Sequence, residues 1–502
     1  MPESDKSGAP STAKPDDDSQ ARRRRRIDGL LGEAAKGRGG QVTLADGRRL
    51  DYRASASFLP VHADGMDAGE PIAAVMVTSY ELLDAAPASR PVCFAFNGGP
   101  GSASIWLQLG ALGPRRMVVP DDAAAARSPH ALSENPHTWL EHFDLVFIDP
   151  PHTGWSVALD DEARKKLLSV DGDVAALTEV MRVWLTRQRR WGSALYLAGE
   201  SYGTTRAAAL ADAMLAGGMD LSGVVLVSCA MDLQTLIFAP GNDLPYTLFL
   251  PAFANAAQYH GLLKGAPGAS SQAARAAAEA FVADDYVAAL HAGSRLSARA
   301  AGRIERRLAE LTGLPRALVA EKNLRISEQT FFFEAMRAQG RIVGRLDARG
   351  TAPMAASRTR DWEFDPGIEA IAPAYTMAAL DFYGSELGIE REQRYQVLSH
   401  EAHKQWNWNR GEARGNGYAC TSTDLARALR RNPHLKVFAA SGRYDLGTPY
   451  SASDWSLAQL DVPAEVLPRV THRYYDAGHM MYTRQADLIR LKADLVDWLG
   501  AS

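Results

Sequence analysis

Ser201 is the residue of this sequence best placed to act as a nucleophile. It stands in Gly199-Glu-Ser-Tyr-Gly203, after an apolar run at 195–198 and before a stretch rich in Ala and Leu. These flanks predict a buried strand and a helix, and a Gly-x-Ser-x-Gly pattern between such elements is typical of a sharp turn that exposes the serine hydroxyl. Glycine is needed on both sides because side chains there would clash. We therefore predict covalent catalysis at Ser201.

A nucleophilic serine needs a general base and a carboxylate that orients the base. Asp445 follows a late apolar run, and His479 follows the predicted last strand at 470–475. Because the carboxyl ends of parallel strands meet at one edge of a sheet, both side chains are expected near Ser201. The remaining candidates are interpreted as structural or surface histidines: His142, His260, His400, His403 and His472.

The negative charge that develops on an attacked carbonyl oxygen needs two backbone N–H donors near the serine. The Tyr202 amide, directly after the nucleophile, is expected to be one of them. The loop Asn97-Gly-Gly-Pro-Gly101 is expected to supply the other. It follows the predicted strand at 92–96, and its glycines permit a close approach of the backbone to a ligand.

A mainly parallel sheet would bring these loops together. Short apolar runs bounded by turn residues alternate with helical patterns, which predicts an α/β fold with strands buried on both faces. The alternation stops between about residues 231 and 430. We predict a disordered tail at 1–38 and a core in two parts, 39–230 and 431–502. A large helical lid at 231–430 is inserted between the two parts.

The composition limits the partners and the location of the protein. With a net charge of -4, nucleic acid is not predicted as a partner, and the arginine run Arg22–Arg26 is interpreted as part of a solvated tail. The cysteines Cys93, Cys229 and Cys420 lack metal-ligand spacing, so we predict no metal, no cofactor and no disulfide framework. The sequence contains no apolar stretch typical of a secretory signal or a membrane span, which predicts a cytoplasmic location without a membrane partner. It does not specify an oligomeric state.

Several motifs together resemble the serine carboxypeptidases, and in particular their bacterial branch. The similarity extends from about residue 40 to the end of the chain. Its motifs are the glycine loop at 97–101, the serine turn at 199–203, Gly-His-Met at 478–480, Asp149-Pro-Pro-His-Thr-Gly-Trp-Ser156, Leu250-Pro-Ala-Phe-Ala254 and Val343-Gly-Arg-Leu-Asp347. The resemblance implies the α/β-hydrolase fold, with a central, mostly parallel sheet flanked by helices.

The resemblance also implies a role for each residue of the site. Ser201, Asp445 and His479 would form a catalytic triad, with the Gly99 and Tyr202 amides as the oxyanion hole. The C-terminal carboxylate of a peptide substrate would bind to Asn97, Gly98 and Glu200, and Met480 would line the side-chain pocket. The implied activity is a serine-type carboxypeptidase, whose partner is a peptide with a free C-terminus.

Two departures from that family leave alternatives open. Ala111 stands where vacuolar and secreted members carry a second Glu that shares a proton with the first, and Thr448 stands in place of a pocket Cys. An esterase or acyltransferase on the same scaffold is the alternative enzyme, and a non-catalytic binding protein is the alternative of another class. Because two close carboxylates do not readily both ionise, Glu200 facing a substrate carboxylate predicts peptide hydrolysis that is best below neutrality.

Overall fold

The computed structural model describes residues 17–62, 69–86, 90–410 and 417–501. The strands there are β1 Lys36–Thr43, β2 Arg49–His62, β3 Pro71–Leu82, β4 Val92–Phe96, β5 Arg115–Met117, β6 Leu132–Glu134, β7 Asp144–Ile148, β8 Val157–Ala158, β9 Leu195–Glu200, β10 Gly223–Val227, β11 Arg341–Val343, β12 Thr351–Pro353, β13 Lys436–Gly442 and β14 Val470–Tyr475. The apolar runs of the sequence thus form the strands predicted for them.

The central sheet has the strand order β1-β2-β3-β7-β4-β9-β10-β13-β14, and β8 pairs with β3. The six strands from β7 to β14 run parallel, whereas β1, β2 and β3 pair antiparallel. The loops after β4, β9, β13 and β14 therefore leave the same edge of the sheet. This order, with a nucleophile turn after β9, is that of the α/β-hydrolase fold, and the predicted fold class is confirmed.

The helices are α1 Asp17–Gly32, α2 Ile105–Leu107, α3 Asp161–Leu167, α4 Val170–Arg187, α5 Tyr202–Ala216, α6 Leu244–Tyr259, α7 Gly265–Gly268, α8 Ser271–Phe281, α9 Val287–Ala292, α10 Ala298–Thr312, α11 Arg316–Glu321, α12 Glu328–Glu334, α13 Pro366–Glu369, α14 Ala372–Asp381, α15 His400–Gln405, α16 Ser422–Arg431, α17 Tyr450–Ala458 and α18 Gln485–Gly500. No helix in the described ranges is long and apolar enough to span a membrane.

Helices cover both faces of the sheet because its strands are apolar on both sides. In β4, Phe94 belongs to the apolar cluster that includes residues of α4, α5 and α16, and its ring contacts Trp184 of α4. The adjacent Cys93 belongs to the cluster of the opposite face, which includes residues of α14 and α18. All five residues of β4 are buried. The loop that follows β4 is therefore anchored in the interior of the protein, as are the loops after the neighbouring parallel strands.

The insertion between β10 and β13 is divided into parts, whereas the sequence predicted one lid. Helices α6 and α8 to α12 share an apolar cluster of their own, which also contains Tyr444 and Leu446 from the loop after β13. Helix α14 packs beside α2, where the Tyr375 ring contacts Trp106, and α16 packs beside α5. Only the first of these parts forms a separate cap.

Residues 17–32 form a helix, and β1 begins at Lys36, where the sequence predicted a disordered tail. The reason is that Ile27 and Leu30, which are three residues apart, form an apolar face that packs beside β2 and β3. Within the arginine run, Arg24 donates to the Pro71 carbonyl at 2.8 Å. Residues 1–16 of the predicted tail lie outside the described residues.

Candidate active site

Ser201 occupies the turn between the end of β9 and the start of α5. Its backbone has φ 60° and ψ −129°, a conformation that a non-glycine residue adopts only under strain. A Cβ atom on Gly199 would overlap the Gly203 carbonyl oxygen, and one on Gly203 would lie 2.7 Å from the Phe96 carbonyl oxygen. Both glycines are thus required by close backbone packing, as the sequence pattern predicted.

Asp445 and His479 are in direct contact. The His479 Nδ1 lies 2.7 Å from Oδ2 of Asp445, on adjacent loops after β13 and β14. Asp445 also accepts hydrogen bonds from the Gly447 amide at 2.7 Å, from the Thr448 amide at 3.0 Å and from Thr448 Oγ1 at 2.7 Å. These donors fix the carboxylate, so that it holds the imidazole through Nδ1 and leaves Nε2 as the nitrogen that can accept a proton.

The pKa of His479 is raised above its usual value by its surroundings. Burial acts to lower this pKa, but the charge and the hydrogen bond of Asp445 outweigh the effect, with a further contribution from Glu200. An imidazolium at this position is therefore stabilised, as a base that accepts the serine proton requires.

A second Ser–His–Asp arrangement is formed by residues of β13, β14 and α17. His472 contacts Asp454 Oδ1 through Nδ1 and Ser441 Oγ through Nε2, both at 2.9 Å. Ser441 is only 1% exposed, and its hydroxyl also donates to Ser453. Because Ser441 is buried, His472 is a structural histidine, in agreement with its interpretation from the sequence.

The glycine loop at 97–101 lies directly against the Ser201 turn. A Cβ atom on Gly98 would overlap the Tyr202 amide nitrogen and would lie 2.7 Å from the Glu200 carbonyl oxygen. Gly99 has φ +101°, which favours glycine. The glycine loop and the Tyr202 amide are therefore in close contact, as is required if both supply donors to one oxyanion.

Asn97 is fixed from two sides at the start of this loop. Its side-chain Oδ1 accepts a hydrogen bond from the Leu107 amide at 3.0 Å, and its carbonyl accepts one from Arg206 at 2.6 Å. Arg206 in turn pairs with Asp173 at 2.7 Å, and both side chains are buried. With Oδ1 occupied, the side-chain amide of Asn97 remains a donor toward the site.

Glu200 is a buried carboxyl immediately before the nucleophile. Burial raises its pKa to about 7, against the lowering effects of His479 and of hydrogen bonds from Tyr482 and Asn97. The Tyr482 hydroxyl donates to Glu200 Oε2 at 2.6 Å. Near neutral pH this group thus exists in both its protonated and its ionised form.

The predicted site residues meet in one cavity of about 280 Å³. Those that line it are Asn97, Gly98, Gly99, Glu200, Ser201, His479 and Met480. Asp445 lies behind His479 and is fully buried, and the Tyr202 ring packs against Trp406 and Trp408. His400 and His403 also line this cavity. In the described part of the chain, no three His, Cys, Asp or Glu side chains are grouped as a metal site requires.

Part of this chain is similar to known serine carboxypeptidases. Residues 76–236, which contain the glycine loop and Ser201, match the family model for serine carboxypeptidase. The resemblance to the serine carboxypeptidases is confirmed. A pheromone-processing carboxypeptidase, KEX1, from Tuber melanosporum is 31% identical over 128 residues, which are 25% of this chain and 19% of that protein. Serine carboxypeptidase-like 33 from Arabidopsis thaliana is 30% identical over 127 residues, which are 24% of each protein.

These alignments span a quarter or less of the two relatives. Among solved structures, a proline iminopeptidase from Mycobacterium smegmatis has a TM-score of 0.35 at 11% identity, over 92% of this chain and 97% of its own. A carboxyl esterase from Bacillus coagulans has a TM-score of 0.33 at 10% identity, over 92% and 98%. The family match supports a serine hydrolase.

A segment of the insertion, residues 345–348, connects the loops that carry Asp445 and His479. The Leu346 carbonyl accepts from the His479 amide at 2.6 Å, and the Arg345 carbonyl accepts from the Leu446 amide at 2.9 Å. The Ala348 amide donates to the Tyr444 carbonyl at 2.9 Å. Residues 343–347 belong to a motif that resembles the bacterial serine carboxypeptidases, but no spacing in the sequence predicts these contacts.

Thr448 and Tyr482 are the other site residues that the sequence did not identify. Thr448, noted only as a departure from the serine carboxypeptidases, donates to Asp445 and lies 3.2 Å from His479 Nδ1. Tyr482 stands three residues after His479, and that proximity in the chain is its only signal. Its hydrogen bond to Glu200 joins positions 282 residues apart.

Proposed function

We propose that this protein is a serine-type carboxypeptidase, which removes the C-terminal residue of a peptide through an acyl-enzyme on Ser201. The observation that carries the proposal is the position of Glu200. A buried carboxyl with a pKa of about 7 lies beside the nucleophile and lines the same cavity. Such a group can donate a proton to a substrate carboxylate in a place where two negative charges would repel.

Ser201 begins the reaction by attacking the carbonyl carbon of the terminal peptide bond. As the Oγ–C bond forms, the serine proton moves to Nε2 of His479, whose Nδ1 is held by Asp445. The amides of Gly99 and Tyr202 donate to the oxygen that becomes negative. The C–N bond then breaks, and the same proton passes from His479 to the leaving amine. Water repeats the sequence on the acyl-enzyme and releases the shortened peptide.

Recognition of the free C-terminus is assigned to Asn97, Gly98 and Glu200, which line the cavity together with Ser201. The side-chain amide of Asn97 and the Gly98 amide donate to the substrate carboxylate, and protonated Glu200 shares its proton with it. Met480 is 8% exposed and lines the cavity, where it contacts the side chain of the departing residue. A peptide with an amidated C-terminus lacks the partner for these donors.

The experiment is a cleavage assay on paired peptides that differ only in a free or an amidated C-terminus, read by mass spectrometry. We expect loss of one residue from the free peptides at pH 6, and at least about a 10-fold lower rate on the amidated ones, since a charged hydrogen bond is worth about 1.5–3 kcal/mol. Glu200→Gln, which keeps the side-chain volume, should reduce this preference. Equal rates on both peptides would instead favour the esterase or acyltransferase.

A fluorophosphonate probe separates both enzymes from a binding protein. Labelling of the natural protein but not of Ser201→Ala is expected for any hydrolase that uses this serine. Ser441→Ala is the matched control, because Ser441 also contacts a histidine but is buried. Loss of labelling in that control would redirect the assignment to the second Ser–His–Asp arrangement. If the natural protein is not labelled, the non-catalytic alternative is favoured.

A further inference from the structure

The Tyr482 side chain is built into the site against the carboxyl of Glu200. Both side chains are buried, with Glu200 3% exposed and Tyr482 fully enclosed. The 2.6 Å hydrogen bond from the Tyr482 hydroxyl occupies Oε2 of Glu200. In this pair the phenol is the donor, because burial and the charge of Glu200 hold its pKa well above its ordinary value.

The backbone around Tyr482 is shaped to hold its ring in this place. Tyr482 lies in a short 3-10 turn, Met481–Thr483, directly after the loop that carries His479. A Cβ atom on Gly110 would overlap the Tyr482 ring. The Tyr482 carbonyl accepts a 3.4 Å hydrogen bond from Arg116, whose guanidinium also donates to Gln485. Glycine at position 110 therefore makes the room that the ring occupies.

We infer that Tyr482 is a positioning residue, which directs the proton of Glu200 to Oε1 and sets the upper pH limit for binding a substrate carboxylate. This inference rests on the proposed carboxypeptidase function. Since Oε2 accepts from the phenol, the acid proton of Glu200 belongs on Oε1, the oxygen that Tyr482 does not contact. The same hydrogen bond stabilises the ionised form of Glu200, so Glu200 loses its proton at a lower pH than it would without Tyr482.

Other charged and titratable groups face this pair. His479 lowers the pKa of Glu200, and Asp445 raises it. The buried Tyr375 interacts electrostatically with Arg116, Glu200 and Tyr482. The Tyr375 hydroxyl has no hydrogen-bond partner among the described residues, and it would lie 2.7 Å from a Cβ atom on Gly110. Tyr375 is thus a neighbouring buried tyrosine whose hydroxyl does not hydrogen-bond to Glu200.

The test compares Tyr482→Phe with Tyr375→Phe, each of which removes one buried hydroxyl and keeps the ring. The readout is the pH dependence of kcat/KM for a peptide with a free C-terminus and for an ester without one. For the peptide, Tyr482→Phe should move the alkaline midpoint up by about one pH unit, the equivalent of one hydrogen bond to a charged group. Tyr375→Phe should leave that midpoint in place, and neither variant should move the corresponding midpoint for the ester.

A purely structural role for Tyr482 gives a different result. Rates would then fall by the same factor at every pH without a shift of the midpoint, and that outcome overturns the inference. An equal shift of the alkaline midpoint in Tyr375→Phe would also overturn the inference. Gly110→Ala offers a second route to the same question, because the added Cβ displaces the phenol from Glu200. It should raise the midpoint in the same direction as Tyr482→Phe.

A titration by NMR separates this inference from the proposed function. In protein labelled with 13C at the glutamate carboxyls, Glu200→Gln identifies the resonance of Glu200. The titration midpoint of that resonance should rise in Tyr482→Phe whether or not peptides are cleaved. If the midpoint is unmoved, the inference is wrong. If it rises but free peptides are not shortened, only the carboxypeptidase assignment fails.

Discussion

The amide of His479 donates a 2.6 Å hydrogen bond to the carbonyl of Leu346. One of these residues belongs to the loop after β14, and the other belongs to the insertion. Next to this bond, the Gly478 amide donates to Asp347 Oδ2 at 3.2 Å. The position of the proposed base is thus set by a segment that the sequence assigned to the lid.

Gly478→Ala should displace His479, because a Cβ atom there would overlap the Leu346 carbonyl oxygen and lie 2.6 Å from the Asp347 Cα. We expect kcat to fall by about 100-fold, the usual effect of moving a catalytic group by about 1 Å. Steady-state kinetics measure this loss. Gly500→Ala, at a position with open space, is the control and should leave kcat unchanged. A fully active Gly478→Ala variant would contradict the proposed importance of this contact.

Asp445→Asn should nearly abolish turnover. The substitution keeps the size of the side chain. The Gly447 and Thr448 amides require an oxygen at the Oδ1 position, so the new NH2 group faces His479 Nδ1 in place of the acceptor Oδ2. Such a change in the serine-protease triad costs about 10⁴ in kcat. Asp454→Asn is the matched control, since Asp454 contacts His472 in the same manner outside the cavity. The two variants are compared by the rate of acylation with a fluorophosphonate. Similar losses in both would contradict the assignment of Asp445.

Glu200 should make the stability of the protein depend on pH. The pKa of this carboxyl is about 7 in the folded state, above its usual value of 4.5, so its contribution to stability is full below pH 4.5 and is lost as the pH rises toward 7. The loss amounts to roughly 3 kcal/mol at most. Glu200→Gln has no carboxyl to ionise, so this pH-dependent loss is absent from the variant. The Tm of the variant minus the Tm of the natural protein should therefore be larger at pH 8 than at pH 5. A Tm difference independent of pH would refute this prediction.

Asp173→Ala should destabilise the protein strongly, because it leaves the buried Arg206 without its counter-charge. Loss of one partner of a buried ion pair costs about 3–5 kcal/mol. Unfolding in urea measures this cost, and Asp171→Ala, an exposed position two residues earlier, is the control. Replacing both partners with apolar residues should recover part of the loss. An Asp173→Ala variant as stable as the control would contradict the prediction.

The sequence was most informative where a residue type suited to catalysis stands in a short pattern that also predicts a turn or the end of a strand. The turn at Ser201, the glycines of the loop at 97–101 and the strand ends before Asp445 and His479 all follow from short patterns together with the order of elements in one fold. Each depends on residues close in the chain, or on the rule that the ends of parallel strands meet. For this reason the fold class could be predicted, together with Asn97, Gly98, Gly99, Glu200, Ser201, His479 and Met480 among the residues that line the cavity.

Contacts between distant segments could not be predicted in the same way. Asp173 lies in α4, whose cap is Ser169, and no local pattern predicts its buried ion pair with Arg206 of α5. Tyr482 and Leu346 likewise act through partners more than 100 residues away. Their residue types are ordinary for surface or core positions, so only the folded chain shows what they contact.

The second Ser–His–Asp arrangement has a practical consequence for structural searches that identify serine enzymes by the geometry of three side chains. A search that superimposes three side chains would find Ser441, His472 and Asp454 as readily as the residues of the cavity. What distinguishes the two sets is the path by which a substrate reaches the hydroxyl, together with the strained turn at Ser201. A template for serine enzymes should therefore include the backbone of the nucleophile and its access to solvent.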